Sequence, residues 1–104
     1  MTDKQPVAPE NCQTMADVRT GVDAVDRELI ALLARRFGYM DAAARIKAER
    51  DAVRDEPRKA QVLANVRRAA DDAGISADLA AQLWEILVED SIAYELVQWD
   101  GLRG

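Results

Sequence analysis

The stretch ELIALLARRFGYMDAAARIKAER, Glu28 to Arg50, decides the fold. It contains no proline and one tolerated glycine, Gly38, among strong helix formers. Read back to Val18, apolar residues recur at steps of three and four: Val18, Val22, Val25, Leu29, Leu32. That spacing predicts one face of an α-helix. The next beats fall on Arg36, Met40, Ala43 and the pair Ile46 and Lys47. Two cations therefore stand on the side such a helix should bury.

Working outward, Thr14 is a candidate N-cap with Asp17 three residues on, an acidic variant of the capping box. The first helix is expected from about Thr14 to about Arg50, where DAVRDEP (51–57) interrupts it. Asp55 or Glu56 can cap a second helix with Pro57 in its first turn, and Gly74 is placed to end it. Ser76 caps a third, LAAQLWEILVEDSIAYELVQW (79–99), expected to give out before Gly101. No strand pattern or internal repeat interrupts this order. The sequence predicts an all-α domain of three helices over residues 14–104, with residues 1–13 a flexible polar leader.

Lengths carry the reading further. A first helix of about 36 residues would be roughly 54 Å long, whereas a compact 100-residue domain has a radius of gyration of about 13 Å. Two shorter helices cannot cover it, so an intertwined homodimer is expected. The third helix agrees. Leu79, Leu83, Ile86, Leu87, Ala93, Tyr94 and Val97 share one side, and Trp84, Val88, Ile92 and Trp99 line another. A helix apolar on two sides is buried on two sides.

Composition narrows the chemistry. Apolar residues make up 49% of the 104 and charged residues 32%, a soluble globular profile. No run approaches the roughly 20 apolar residues of a membrane span, and the leader MTDKQPVAPENCQ lacks the apolar core of a signal peptide, so a cytoplasmic protein is expected. Histidine is absent, which removes histidine triads, histidine metal sites and the usual general base. Cys12 is the sole cysteine, excluding an intrachain disulfide. A net charge of -5 disfavours a nucleic-acid or anionic-membrane surface.

Arg36 and Lys47 lie 11 residues apart, so on one helix they project within about 20° of each other. A buried, unpaired cation is costly, and each needs a carboxylate or an anionic ligand. Either both reach the surface or pair with an acid such as Asp90, or they line a pocket. Arg19 precedes Arg36 by 17 residues, about 25 Å along the axis and roughly 100° around it, so it cannot share that pocket from the same helix. In an antiparallel dimer it can arrive from the mate; otherwise it is an ordinary solvated arginine. Arg58, in VRDEPRK, can grip a carboxylate bidentately. Ser91 and Glu95, one turn apart between the two apolar sides, can face a cavity. A pocket of fixed donors without a nucleophile suits a reaction in which a small dianion is folded and its shifting charge stabilised, a pericyclic rearrangement for example.

Three segments carry a family resemblance: MADVRTGVDAVDRELIALLARRFGYMDAAARIK (15–47), VRDEPRKAQVL (53–63) and LWEILVEDSIAYE (83–95). Over about residues 12 to 99 the chain resembles the all-helical class of chorismate mutases and is similar to the isochorismate-pyruvate lyases built on the same fold. The resemblance implies a domain-swapped dimer with two equivalent pockets, each using Arg19 of the other subunit. It implies that Arg19, Arg36 and Arg58 bind substrate carboxylates and that Lys47 donates to the ether oxygen. Asp55 matches a position that helps bind the ring hydroxyl, and Ser91 one that helps hold a carboxylate. No metal or cofactor is implied.

Two positions depart from the bacterial mutase pattern. Lys59 stands where many mutases carry a glutamate for the substrate hydroxyl, leaving more of that contact to Asp55. Glu95 stands where glutamine usually faces the ether oxygen, although some fungal mutases use glutamate there. An ionised carboxylate only accepts hydrogen bonds, so Glu95 must be protonated to assist. The EDS segment with Ser91 follows the mutases, whereas the NCQTMADVR leader and the short Lys47-to-Arg58 connection follow the lyases. Chorismate mutase is the preferred expectation, the lyase the alternative, and a non-catalytic helical dimer the third.

Overall fold

The structure, a computed structural model, describes residues 5–104 and is all-helical. Three α-helices carry it: α1 (Met15–Ile46), α2 (Glu56–Ala73) and α3 (Ala77–Leu102). Short 3-10 turns stand at Pro9–Asn11 and Arg50–Ala52, and no strand occurs among the described residues. The described chain forms two compact units, one up to Arg36 and one from Phe37 onward.

In the first unit, Thr14 caps α1 as its sequence position predicts. Its Oγ1 accepts from Asp17 N at 3.1 Å, and Asp17 returns the favour by accepting from Gln13 N at 3.2 Å. Such reciprocal bonds satisfy amides that a helix start leaves orphaned. Positions 1–4 of the expected leader lie outside the described residues. From Pro6 to Cys12 the leader runs beside the first turns of α1, and Pro6, Val7, Pro9 and Cys12 enclose a hollow of about 400 Å³ with Val18, Gly21, Val22 and Val25.

The second unit is built on the pairing of α2 with α3. Asp55 caps α2, its carboxylate accepting from Arg58 N at 3.0 Å, with Pro57 in the first turn. Gly74 ends α2 in the left-handed conformation, φ 77°, which a Cβ would strain. Ile75 N then reaches Ala70 O at 3.0 Å, the six-to-one bond of a Schellman ending. Ser76 at once caps α3, accepting from Leu79 N at 3.1 Å. Cross-links from Arg67 to Asp78 and from Lys59 to Glu85 progress in opposite directions along the two helices, so the pair is antiparallel. Val53, Val88 and Ile92 are buried at its centre, with Val62, Trp84, Leu96 and Trp99 packed around them.

Two helix ends differ from expectation. α1 stops at Ile46, short of Arg50, because side chains of α3 take the carbonyls that further turns would use: Trp99 and Arg103 bond Lys47 O, and Arg103 bonds Ala44 O. α3 passes through Gly101 to Leu102, since Asp100 and Arg103 are both held against the segment that follows α1. Only one apolar side of α3 is covered. Leu79, Leu83, Ile86 and Val97 on the other are each more than half exposed, as are Val22, Val25, Leu29, Ile30 and Leu32 of α1. Among the described residues no helix is long and apolar enough to cross a membrane.

Candidate active site

Lys47 is the residue immediately after α1, and three directions fix it. Its N–H donates to Ala43 O at 2.9 Å, its carbonyl accepts from Trp99 Nε1 and Arg103 Nη2, and its ammonium lies 2.8 Å from Glu95 Oε2. Glu95 is 3% exposed, and with Ser91, also 3%, it is one of two buried polar side chains among the described residues. The lysine therefore brings charge to a carboxylate that water does not reach, which is the condition for keeping an ionised group in an interior. The 2.8 Å approach is a charge contact, and among the described residues Glu95 Oε2 has no hydrogen-bond partner.

One turn earlier on α3, Ser91 Oγ donates to Leu87 O at 2.7 Å, the back-bond common for serine inside a helix. One residue before Glu95, Tyr94 turns to the opposite flank. Its hydroxyl donates to Asp41 Oδ1 at 2.6 Å, and its ring meets Phe37 edge-on at 5.0 Å. The bond to Asp41 raises the Tyr94 hydroxyl above the ordinary tyrosine range. These contacts brace α3 against the last turns of α1 beside the Lys47–Glu95 pair.

The start of α2 supplies the remaining groups of this unit. Asp55 is the cap, and Arg58 Nη1 donates to Gln61 Oε1 at 2.7 Å. Lys59 points at α3, bonding Glu85 at 2.6 Å and Glu89 at 2.8 Å, while Arg54 grips Glu89 through both terminal nitrogens, at 2.7 and 3.2 Å. Glu89 thus ties together the two cations that flank Asp55 and Arg58, two residues before Ser91. Hydrogen bonds from Arg54 and then Lys59 pull its carboxyl down to about 2. A depressed carboxyl stabilises the fold above its ordinary value, and the contribution is lost as pH falls towards the folded-state value. Glu89→Gln should therefore lower the thermal midpoint at pH 7, and the gap from the parent should narrow steadily between about pH 5 and 2; an equal gap at both ends would deny the link.

Arg19 and Arg36 belong to the first unit, Arg19 exposed and Arg36 half-buried on α1. Of the residues singled out in the sequence, the structure brings Lys47 onto Glu95, with Ser91 a turn away; Asp55, Arg58 and Lys59 cluster at the head of α2. The partner of Lys47 is Glu95 and not Asp90, which is exposed. Sequence reasoning missed Glu85, Glu89, Trp99 and Arg103. Trp99 reads as a member of an apolar stripe, and its indole N–H was the one available signal that it would seek an acceptor. Among the described residues no cluster of His, Cys, Asp or Glu is placed to hold a metal ion.

This small all-helical chain sets a lysine against a buried carboxylate and carries an arginine in the first turn of α2. The chain belongs to the chorismate mutase type II family, whose pattern it matches over residues 18–96. It is similar to an isochorismate pyruvate lyase of Pseudomonas aeruginosa, 32% identical over 96 residues that span 92% of this chain and 95% of that protein. It is also similar to a T-protein of Haemophilus influenzae, 31% identical over 84 residues, 80% of this chain and 22% of that longer protein.

Proposed function

We propose that this chain is a chorismate mutase acting in the cytoplasm, converting chorismate to prephenate by a Claisen rearrangement without metal, cofactor or covalent intermediate. The observation that carries the reading is the Lys47 ammonium set against the buried Glu95. In the rearrangement the ether C–O bond breaks as a C–C bond forms within one molecule, and negative charge grows on the ether oxygen. Lys47 donates to that oxygen. A preorganised donor aimed at developing charge is where catalysis of this kind gains most. Arg36 and Arg58 hold the carboxylates, joined by Arg19 of a second subunit. The Ser91 hydroxyl turns from Leu87 O to a carboxylate oxygen, Asp55 accepts from the ring hydroxyl, and Lys59 borders that contact.

The second subunit is part of the proposal. Fully burying a large aliphatic side chain contributes about 1.5–3 kcal/mol. The five side chains of α1 and four of α3 named above are each more than half exposed in the single chain. Covering them is worth roughly 10 kcal/mol, comparable to the whole stability of a small domain. An intertwined homodimer covers them.

Glu95 stands beside the Lys47 ammonium and faces the same ether oxygen in this reading. Glu95→Gln should therefore change kcat for chorismate; a rate untouched by the substitution removes Glu95 from the mechanism.

A second reading is isochorismate-pyruvate lyase, favoured by the match to nearly the whole length of the Pseudomonas aeruginosa lyase. Both reactions place similar dianions in similar pockets. Supplying purified protein with chorismate and with isochorismate separately, and assaying prephenate against salicylate plus pyruvate, distinguishes them. Prephenate formation supports the mutase; salicylate and pyruvate alone would replace it with the lyase. Neither product would leave a non-catalytic helical dimer.

A further inference from the structure

We infer that Trp99, in the last turn of α3, and Arg103, its C-cap residue, are positioning residues for Lys47: they hold the backbone from which its ammonium is delivered. The inference rests on the proposed role of Lys47 as donor to the ether oxygen. Lys47 lies one residue beyond α1, so the helix ladder fixes its N–H, to Ala43 O, and nothing later. The carbonyls at a helix end are the acceptors a helix cannot satisfy itself. Here α3 satisfies them. Trp99 Nε1 donates to Lys47 O at 3.0 Å, and Arg103 Nη2 donates to the same oxygen at 2.7 Å. Arg103 Nη1 donates to Ala44 O at 3.0 Å, so one guanidinium spans a carbonyl of the last α1 turn and the one just beyond it. Its planar fork makes that span, which a lysine ammonium cannot reproduce.

The arrangement is reinforced from three sides. The Arg103 guanidinium lies 4.1 Å from the Trp99 ring centroid, so each donor orients the other. Ala44, whose carbonyl is taken, is fully buried. Between the two donors, Asp100 holds Arg50 by two hydrogen bonds of 2.8 and 3.1 Å, gripping the chain three residues after Lys47. Trp99, Asp100 and Arg103 therefore clasp the segment from Ala44 to Arg50, and the flexible Lys47 side chain starts from a fixed root. Small displacements of a reacting group lower the rate steeply while hardly changing ground-state affinity.

Three variants of the full chain test this: Arg103→Met, which keeps length but loses the fork; Trp99→Phe, which keeps the ring but loses the N–H; and Arg103→Lys, which keeps charge. The first two should each lower kcat for chorismate about 10-fold with KM within about twofold, and Arg103→Lys should recover only part of the loss. Amide hydrogen exchange over residues 48–52 should quicken in the same order. In a Lys47→Ala background, Arg103→Met should lower the residual rate no further. A fall in thermal midpoint with kcat unchanged, or additive losses with Lys47→Ala, would reduce Trp99 and Arg103 to structural supports and overturn the inference. If the parent protein does not convert chorismate, the functional reading fails by itself. The clasp is then judged on exchange: faster exchange over 48–52 in the variants upholds the hold on the Lys47 backbone, and unchanged exchange refutes it.

Discussion

Lys47→Ala should lower kcat for chorismate by about 10²–10³-fold, the loss typical of removing one donor aimed at a developing oxyanion. The substitution removes the ammonium and leaves the backbone contacts of Lys47 to Trp99 and Arg103 intact. It also strips Glu95 of its cation, so Lys47→Ala,Glu95→Gln is the needed companion: that double variant restores a neutral interior without restoring the ammonium. If the double variant regains stability and stays slow, the loss belongs to catalysis. If activity returns with stability, Lys47 serves only to neutralise Glu95, and the proposed mechanism falls. KM should move less than kcat in the single variant, since the carboxylate contacts assigned to the arginines persist.

The second large effect concerns the assembly. Arg19→Ala should lower kcat/KM by about 10–100-fold, the range for losing a charge-assisted hydrogen bond. Mixing the impaired Arg19→Ala with the impaired Lys47→Ala, after subunit exchange, should raise activity above that of either alone. Random pairing makes half the dimers mixed, and each mixed dimer has one pocket with both groups intact, so about a quarter of parental activity should return. If each subunit used its own Arg19, no mixed pocket would be complete and nothing would return. Recovery thus tests at once whether two chains join and whether residue 19 crosses between them.

Much of the fold is legible in the sequence because caps and breakers act locally. Thr14, Asp55, Gly74 and Ser76 each do in the structure what their residue types predict: three accept amide hydrogen bonds at helix starts, and one adopts a positive φ. The two misplaced helix ends fail for one physical reason. Both are set by tertiary hydrogen bonds from α3 side chains to residues about 50 positions earlier, as from Trp99 to Lys47 O, and no local pattern encodes those. Site residues follow the same division. The cations at Arg36 and Lys47 announce themselves by breaking an apolar stripe. The acids that organise the head of α2, Glu85 and Glu89, lie on a face where acids are ordinary. Lys59 resembles a substituted ligand position in sequence, and the structure adds its tie to those two acids.

The first unit offers a practical handle. Its single thiol, Cys12, is half-buried at the edge of the hollow between residues 6–12 and the opening turns of α1. With no competing cysteine in the sequence, the rate at which a thiol-reactive dye labels the protein times how often that arm lifts away. The same dye, once attached, becomes an optical reporter placed beside the apolar ridge of Val18, Val22 and Val25.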